Sequence, residues 1–431
     1  MSSPAVLDPQ PPTLEPDTGP NEAKQWWKSF IKGVLSPSAG TIALAILLAL
    51  VIGALIVVMF DPGVQAAAGY FFAAPGDFFA EAWRAFSGFF TALIRGSIFD
   101  WRQSSFQAAF RPLTESIVRA TPLIIAGLAV AVGFTAGLFN IGVQGQLIIG
   151  ALVGGYIGFA WNLPLGVHII VAIIGAIIGG AIWGFIPGIL KARLGANEVI
   201  VTIMLNSVAA LFLAAMLQTQ RFYGDGYPGK STRVLSTGVY PSLLGSGFRL
   251  NFSIIAAILA CIFVWWLLDR STFGFEIRAA GANPDAAKTA GINVPLVVIM
   301  TMTLSGALAG LAATAPVLGT EKAITGGVAG SIGFDAITVA LLGRSRPIGV
   351  FIAGLLFGAL NAGGALMQSS AGIPVDIVLI TQAIIVLTIA ASEAIRASRE
   401  RKKVKARTVA KVEEKHEPDS DKSAQMEGVV A

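Results

Sequence analysis

Charge is what this sequence has least of. Asp, Glu, Lys and Arg supply 13% of the residues and hydrophobic types 55%. That is about half the charge share of an ordinary soluble domain, and the mean hydropathy is +0.73. Such a balance excludes a globular protein solvated by water on all sides. Histidine is nearly missing, with two residues, and Cys261 is the single cysteine. An internal disulfide is therefore excluded, and no Cys/His cluster with metal-ligand spacing exists. Cys261 lies between apolar neighbours and reads as packing. His168, near the end of an apolar run, reads as an interfacial side chain, and His416 lies in a polar tail. Nothing here points to an enzyme. The formal charge of +5 does not mark a nucleic-acid binder either, because the basic residues gather beside apolar runs and in one tail.

What the chain has instead is long uncharged runs. Residues 41–60 and 199–217 contain no Asp, Glu, Lys or Arg, and about 20 helical residues cross about 30 Å of hydrocarbon. The expected fold is all-α, a polytopic membrane protein with about ten transmembrane helices. They fall near 41–60, 119–136, 144–160, 167–187, 199–217, 252–268, 295–315, 326–342, 348–366 and 375–391. The span at 326–342 reads as short or broken, because Asp335 sits inside it. Residues 63–111 mix aromatics with charges and read as helical structure on the membrane or packed outside it. Residues 1–37 read as a disordered cytoplasmic tail without a cleavable signal, 38–392 as the membrane domain, and 393–431 as a basic, disordered cytoplasmic tail. The Lys/Arg cluster from Arg396 to Arg407 belongs on the cytoplasmic side, and counting back through ten spans puts both termini there. Glycine pairs four apart, Gly150/Gly154, Gly175/Gly179 and Gly306/Gly310, permit close helix contact.

Gly224 to Ser231 satisfies the phosphate-loop pattern G-x-x-x-x-G-K-[ST]. That loop works only between a strand and a helix whose N–H groups face the phosphates. Here an apolar helix precedes it, Gly238 and Pro241 follow it, and the topology places it outside. It reads as an ordinary turn.

Three polar seams interrupt the apolar pattern. Residues 137–146 put Asn140, Gln144 and Gln146 among glycines between two helices. Such a stretch at membrane depth must be buried in protein or line a wet cavity, so it reads as a broken helix on a solute path, with interhelical hydrogen bonding as the alternative. The second runs from Gly195 through Asn197 and Glu198 to Thr202 and Asn206, the last two sharing a helix face. The third holds Asp335, which has two further readings: pairing with Arg344, or capping a helix. The solute-path candidates are thus Asn140, Gln144, Gln146, Asn206 and Asp335.

The segment 269–292 carries a different signal. Asn283 suits a helix N-cap, Pro284 a first turn, Asp285 the positive helix end, and Gly291 a stop. A short capped helix with Ala286 and Ala287 in it, between two spans on the cytoplasmic side, suits docking on another protein.

Three blocks together carry a family resemblance: residues 119–124 running into 137–142, residues 196–206, and residues 278–287. The chain resembles permease subunits of ATP-binding-cassette importers in the ribose, nucleoside and branched-chain amino acid group, and most of all the nucleoside permeases served by basic-membrane-protein-type lipoproteins. The resemblance covers about residues 110–392. It implies a permease built of two repeated halves in a bacterial cell membrane, without a cofactor of its own. ATP would be used by a partner ATPase, beside a second permease subunit in a homo- or heterodimer and an extracytoplasmic solute-binding lipoprotein, for a nucleoside or sugar. It also implies that Gly274 to Gly291, with Arg278, Gly281, Asn283, Pro284, Asp285, Ala286, Ala287 and Gly291, couples to the ATPase. Family members often carry Glu where Gln144 stands. A carrier driven by an ion gradient is the alternative, since broken helices and buried amides also serve there. It would need neither the capped helix nor so few carboxylates within its spans.

Overall fold

The computed structural model describes residues 37–371 except 246, with 376–377, 379–385 and 387–388. The predicted tails 1–37 and 393–431 lie outside the described residues, save for residue 37. Contacts divide the chain into a body, 49–387, and a second unit made of 1–48 and 388–431. Of the second unit, residues 37–48 and 388 are described, all helical.

Among the described residues 77% are helical and no strand forms. In chain order the long helices are α1 (Pro37–Phe60), α2 (Pro62–Gly69), α3 (Pro75–Ser97), α4 (Phe106–Thr135), α5 (Val143–Ala160), α6 (Val167–Leu194) and α7 (Glu198–Leu217). After the four-residue α8 (Gln220–Tyr223) come α9 (Ser253–Arg270), α10 (Thr272–Ala282), α11 (Pro284–Thr289), α12 (Val294–Thr314), α13 (Ile332–Leu342) and α14 (Pro347–Ala371). Seven of these are long and apolar enough to cross a bilayer. An eighth span arises if α1 and α2, bent by 56° at Asp61, count as one.

The bend is local chemistry. Asp61 Oδ1 accepts from the backbone N–H of Gly63 and Val64 at 2.9 and 3.2 Å, and Pro62 opens the new helix. Eight of the ten expected spans have a counterpart among these helices. Residues 326–331 form turns, and α13 has 11 residues, about 16 Å of helix, too short to span alone. The described residues of the last expected span are helical, and the rest of 375–391 lies outside the described set. Helix α4 begins well before the expected 119, because Ser105 caps it through Oγ to Ala108 N at 3.3 Å.

The core is fixed by glycine. Helices α6 and α12 meet where a methyl on Gly180 would collide with Gly306 O, and one on Gly310 with Ala176 O. Helix α5 joins them, since a Cβ on Gly150 would stand 2.5 Å from Gly310 Cα. Backbones this close gain dispersion along their whole length, the main attraction between helices in lipid. His168 is fully buried in the protein: its Nε2 lies 3.0 Å from Ile157 O and its Nδ1 2.7 Å from Thr237 Oγ1. Because Ile157 O only accepts, Nε2 carries a proton.

The phosphate-loop look-alike is a turn. Ser231, its last residue, donates its N–H to Ile324 O and accepts from Ile324 N through Oγ, both at 2.8 Å. The serine that would have faced a metal or phosphate is committed to the neighbouring loop.

Candidate functional site

The three polar seams, far apart in sequence, converge at the start of α5. Gly137 ends α4 with φ +71, a conformation glycine adopts without strain, and residues 138–142 turn the chain into α5. Asn140 holds this turn. Its Oδ1 accepts from Gly142 N at 2.9 Å, and its Nδ2 donates to Gln146 Oε1 at 3.1 Å and to Ser305 Oγ of α12 at 2.8 Å. Ser305 in turn donates to Ala129 O at 2.6 Å. Asn206 reaches in from α7, donating to Ile141 O at 2.9 Å and accepting from Gly145 N at 2.8 Å. Backbone groups orphaned by the helix break thus receive side-chain partners, as a dry interior requires. Asn140 and Gln146 are 1% exposed and Asn206 8%.

Gln144 faces another way. Its Nε2 donates to Gly330 O and its Oε1 accepts from Gly333 N, each at 2.8 Å. A carboxylate there accepts but cannot donate, so a Glu in this position would lose the bond to Gly330. Gly333 has no room for a side chain, as its Cβ would fall 2.5 Å from the Gln144 backbone.

The run of turns that Gln144 holds is one wall of a cavity of about 300 Å³, within the size range of small-molecule sites. Its polar lining includes Arg119 of α4, Arg249 and Ser253 at the head of α9, Glu321, Asp335 and Asn361. Arg249 is bridged to Glu115 at 3.4 Å and Glu321 at 3.5 Å. Asp335, in the first turn of α13, accepts from Ser331 Oγ at 2.7 Å. Among the described residues no ion pair joins Asp335 or Arg119 to an opposite charge. Of the five expected path residues, Asp335 alone lines this cavity. Gln144 stands behind its wall, and Asn140, Gln146 and Asn206 belong to the buried network. The sequence reading missed Arg119, Arg249, Glu321 and Asn361. Asn361 did carry a signal, as a lone amide inside the apolar run 348–366.

The segment 269–292 forms two short helices instead of one. Ser271 caps α10 through Oγ to Gly274 N at 2.9 Å. Asn283 then caps α11, its Oδ1 accepting from Asp285 N and Ala286 N, both at 3.1 Å, and Gly291 takes φ +87 beyond its end. Ala287 is buried, whereas Asn283, Pro284, Asp285 and Ala286 are exposed. A methyl on Gly274 would collide with Leu267 O, and one on Gly281 with Thr135 O and lie 3.0 Å from Gly137 N. Gly281 therefore touches the turn that Asn140 organises. Arg278 sits on α10 between those two contacts.

A half-open cavity with charged and apolar lining, set among long apolar helices and tied through a helix break to a pair of short helices, suits a membrane permease. The chain belongs to a recognised family of them: residues 113–390 match the family described as the permease component of branched-chain amino acid transport systems. The guanosine ABC transporter permease protein NupP of Bacillus subtilis is 38% identical over 65% of this chain and 82% of its own length. The nucleoside ABC transporter permease protein NupB of Lactococcus lactis is 35% identical over 65% and 79%. The glucose ABC transporter permease protein TsgB13 of Haloferax volcanii is 34% identical over 65% and 76%. No solved structure matches the chain significantly. The protein is a multi-pass ABC transporter permease, a transport subunit and not an enzyme, and the ion-gradient alternative falls.

Proposed function

We propose that this chain forms the solute path of a bacterial importer for nucleosides or simple sugars in the plasma membrane, with both termini cytoplasmic. ATP is hydrolysed by a separate ATPase seated on α10 and α11. A second permease subunit, identical or related, completes the path, and an extracytoplasmic lipoprotein delivers the solute. The relatives named for guanosine, nucleosides and glucose support the solute class.

The observation that carries the reading is a continuous line of contact. Asp335 stands on the wall that Gln144 holds, Gln144 opens the helix that the Asn140 turn begins, and that turn rests on Gly281 of α10. A push on α10 or α11 has a rigid route to the cavity. In this reading Gln144 positions the wall, and Asn140, Gln146 and Asn206 transmit the movement without touching solute.

The test is uptake of labelled guanosine, uridine and glucose by cells lacking their own importers and expressing the complete transporter. ATP-dependent accumulation of at least one supports the proposal. Accumulation of none, with the assembled complex present in the membrane, rejects it.

A further inference from the structure

The cavity lining says which part of the solute is read. It contains Arg, Glu, Asp, Asn, Ser and Thr side chains but no Phe, Tyr or Trp, so a base or sugar ring finds no aromatic platform to stack on. The directional contacts this lining offers are hydrogen bonds, beside apolar contact from residues such as Leu123 and Ile332. Arg249 is occupied by Glu115 and Glu321, which leaves Asp335 and Arg119 as the lining charges without an ion-pair partner among the described residues. A carboxylate with no cation beside it has lone pairs that only donors can satisfy. On Asp335 the hydroxyl of Ser331 takes one, at Oδ2, and Oδ1 has no protein donor among the described residues. One unpaired charge of each sign gives this lining no preference for an ionic solute, which disfavours phosphorylated ones.

Resting on the nucleoside or sugar reading above, we propose that Asp335 reads a vicinal diol, its two carboxylate oxygens accepting from adjacent hydroxyls of the solute, with the Arg119 guanidinium donating to the solute's acceptors. The ligand class is an uncharged solute carrying a cis-diol, the chemistry shared by ribonucleosides and many simple sugars. Asp335 is then a specificity-determining residue. A site built to bond a hydroxyl rejects the analogue that lacks it, since its own polar groups are left unpaired. Losing one hydrogen bond to a charged group weakens binding by about tenfold or more.

The experiment measures ATP-dependent uptake of uridine, 2′-deoxyuridine and 2′,3′-dideoxyuridine by the complete transporter in membrane vesicles, for wild type and Asp335→Asn at matched abundance. The lipoprotein's own preference is common to both and cancels when their uptake ratios are compared. The expected result is that Asp335→Asn lowers uridine uptake, leaves 2′,3′-dideoxyuridine uptake unchanged, and shrinks the ratio between them about tenfold. Should that variant fail to reach the membrane, the ratio is read for Asp335→Glu, whose longer arm displaces the carboxylate, and a shifted ratio is expected. A ratio unchanged from wild type, or equal loss of all three solutes in an assembled complex, overturns the diol assignment alone. No ATP-dependent uptake of any nucleoside or sugar by the wild type overturns the function on which it rests.

Discussion

At the scale of single residues, burial separates groups that hold the fold from groups that meet solute. Asn140 satisfies Gly142 N, Ser305 and Gln146 at once. Asn140→Ala leaves Gly142 N and Gln146 Oε1 without that partner at about 1–3 kcal/mol each, so the purified protein is expected to melt lower by at least about 2 °C. Asp335→Asn, at the cavity, is expected to melt like the parent while its transport changes. A thermal melt of both variants in detergent checks the contrast, and equal melting would put Asn140 outside the framework. Asp100, in the loop between α3 and α4, makes a pH prediction. A hydrogen bond from Arg95, at 2.7 Å in a buried pair, holds its carboxyl down at about 2. A depressed carboxyl contributes stability that is complete above its ordinary value near 4 and lost as the pH falls toward 2. Asp100→Asn, which disrupts a buried pair, is expected to cost about 3–5 kcal/mol at pH 7. Its melting temperature should approach the parent's as the pH is lowered from 4 to 2. A gap that stays constant down to pH 2 would contradict the assignment.

At the scale of elements, the segment 269–292 shows what sequence can and cannot reveal. Asn283, Pro284, Asp285 and Gly291 mark α11 plainly, because caps and turns are local chemistry. Helix α10 had no such cap-and-stop signal in the reading, and it carries Gly274 and Gly281 inside it. Their reason is distance, since each backbone presses on another where no Cβ fits. Likewise the apolar runs announced most spans, but Arg111, Glu115 and Arg119 disguised the early turns of α4, and Gly326, Gly327 and Gly330 gave turns in place of the first half of an expected span. The site was legible in parts only. The sequence marked each seam as polar in an apolar setting, whereas their meeting at α5 and the cavity beside Asp335 depend on packing between residues 61 to 189 positions apart. Two kinds of change test the element. Gly281→Val should push α10 off the Thr135 to Gly137 turn and uncouple it, so that ATP hydrolysis continues while uptake falls. Ala287→Pro removes the bond from its N–H to Asn283 O and should cost α11 about 3 kcal/mol, whereas Ala286→Glu changes the exposed face and leaves the helix formed. Uptake and ATPase co-purification are measured at matched abundance. If Ala287→Pro and Ala286→Glu both behave like the parent, α11 is a solvated loop and the coupling assignment is wrong.

At the scale of the whole molecule, the glycine-locked core of α5, α6 and α12 provides a stiff frame, and the broken helix between α4 and α5 provides a place where movement can enter. One end of that break meets the exposed pair α10 and α11, and the other meets the cavity wall. The chain's own resemblance to a phosphate loop is spent on tying Ser231 to Ile324, and the proposed function takes its energy from a separate ATPase. Reconstitution therefore tests the central claim most directly. The purified chain is placed in proteoliposomes with its permease partner and solute-binding lipoprotein, with and without the ATPase, under imposed proton and sodium gradients and with ATP supplied on the ATPase side. The account predicts solute accumulation only when ATPase and ATP are both present, and none from either gradient alone. Accumulation driven by an ion gradient in the absence of the ATPase would contradict it.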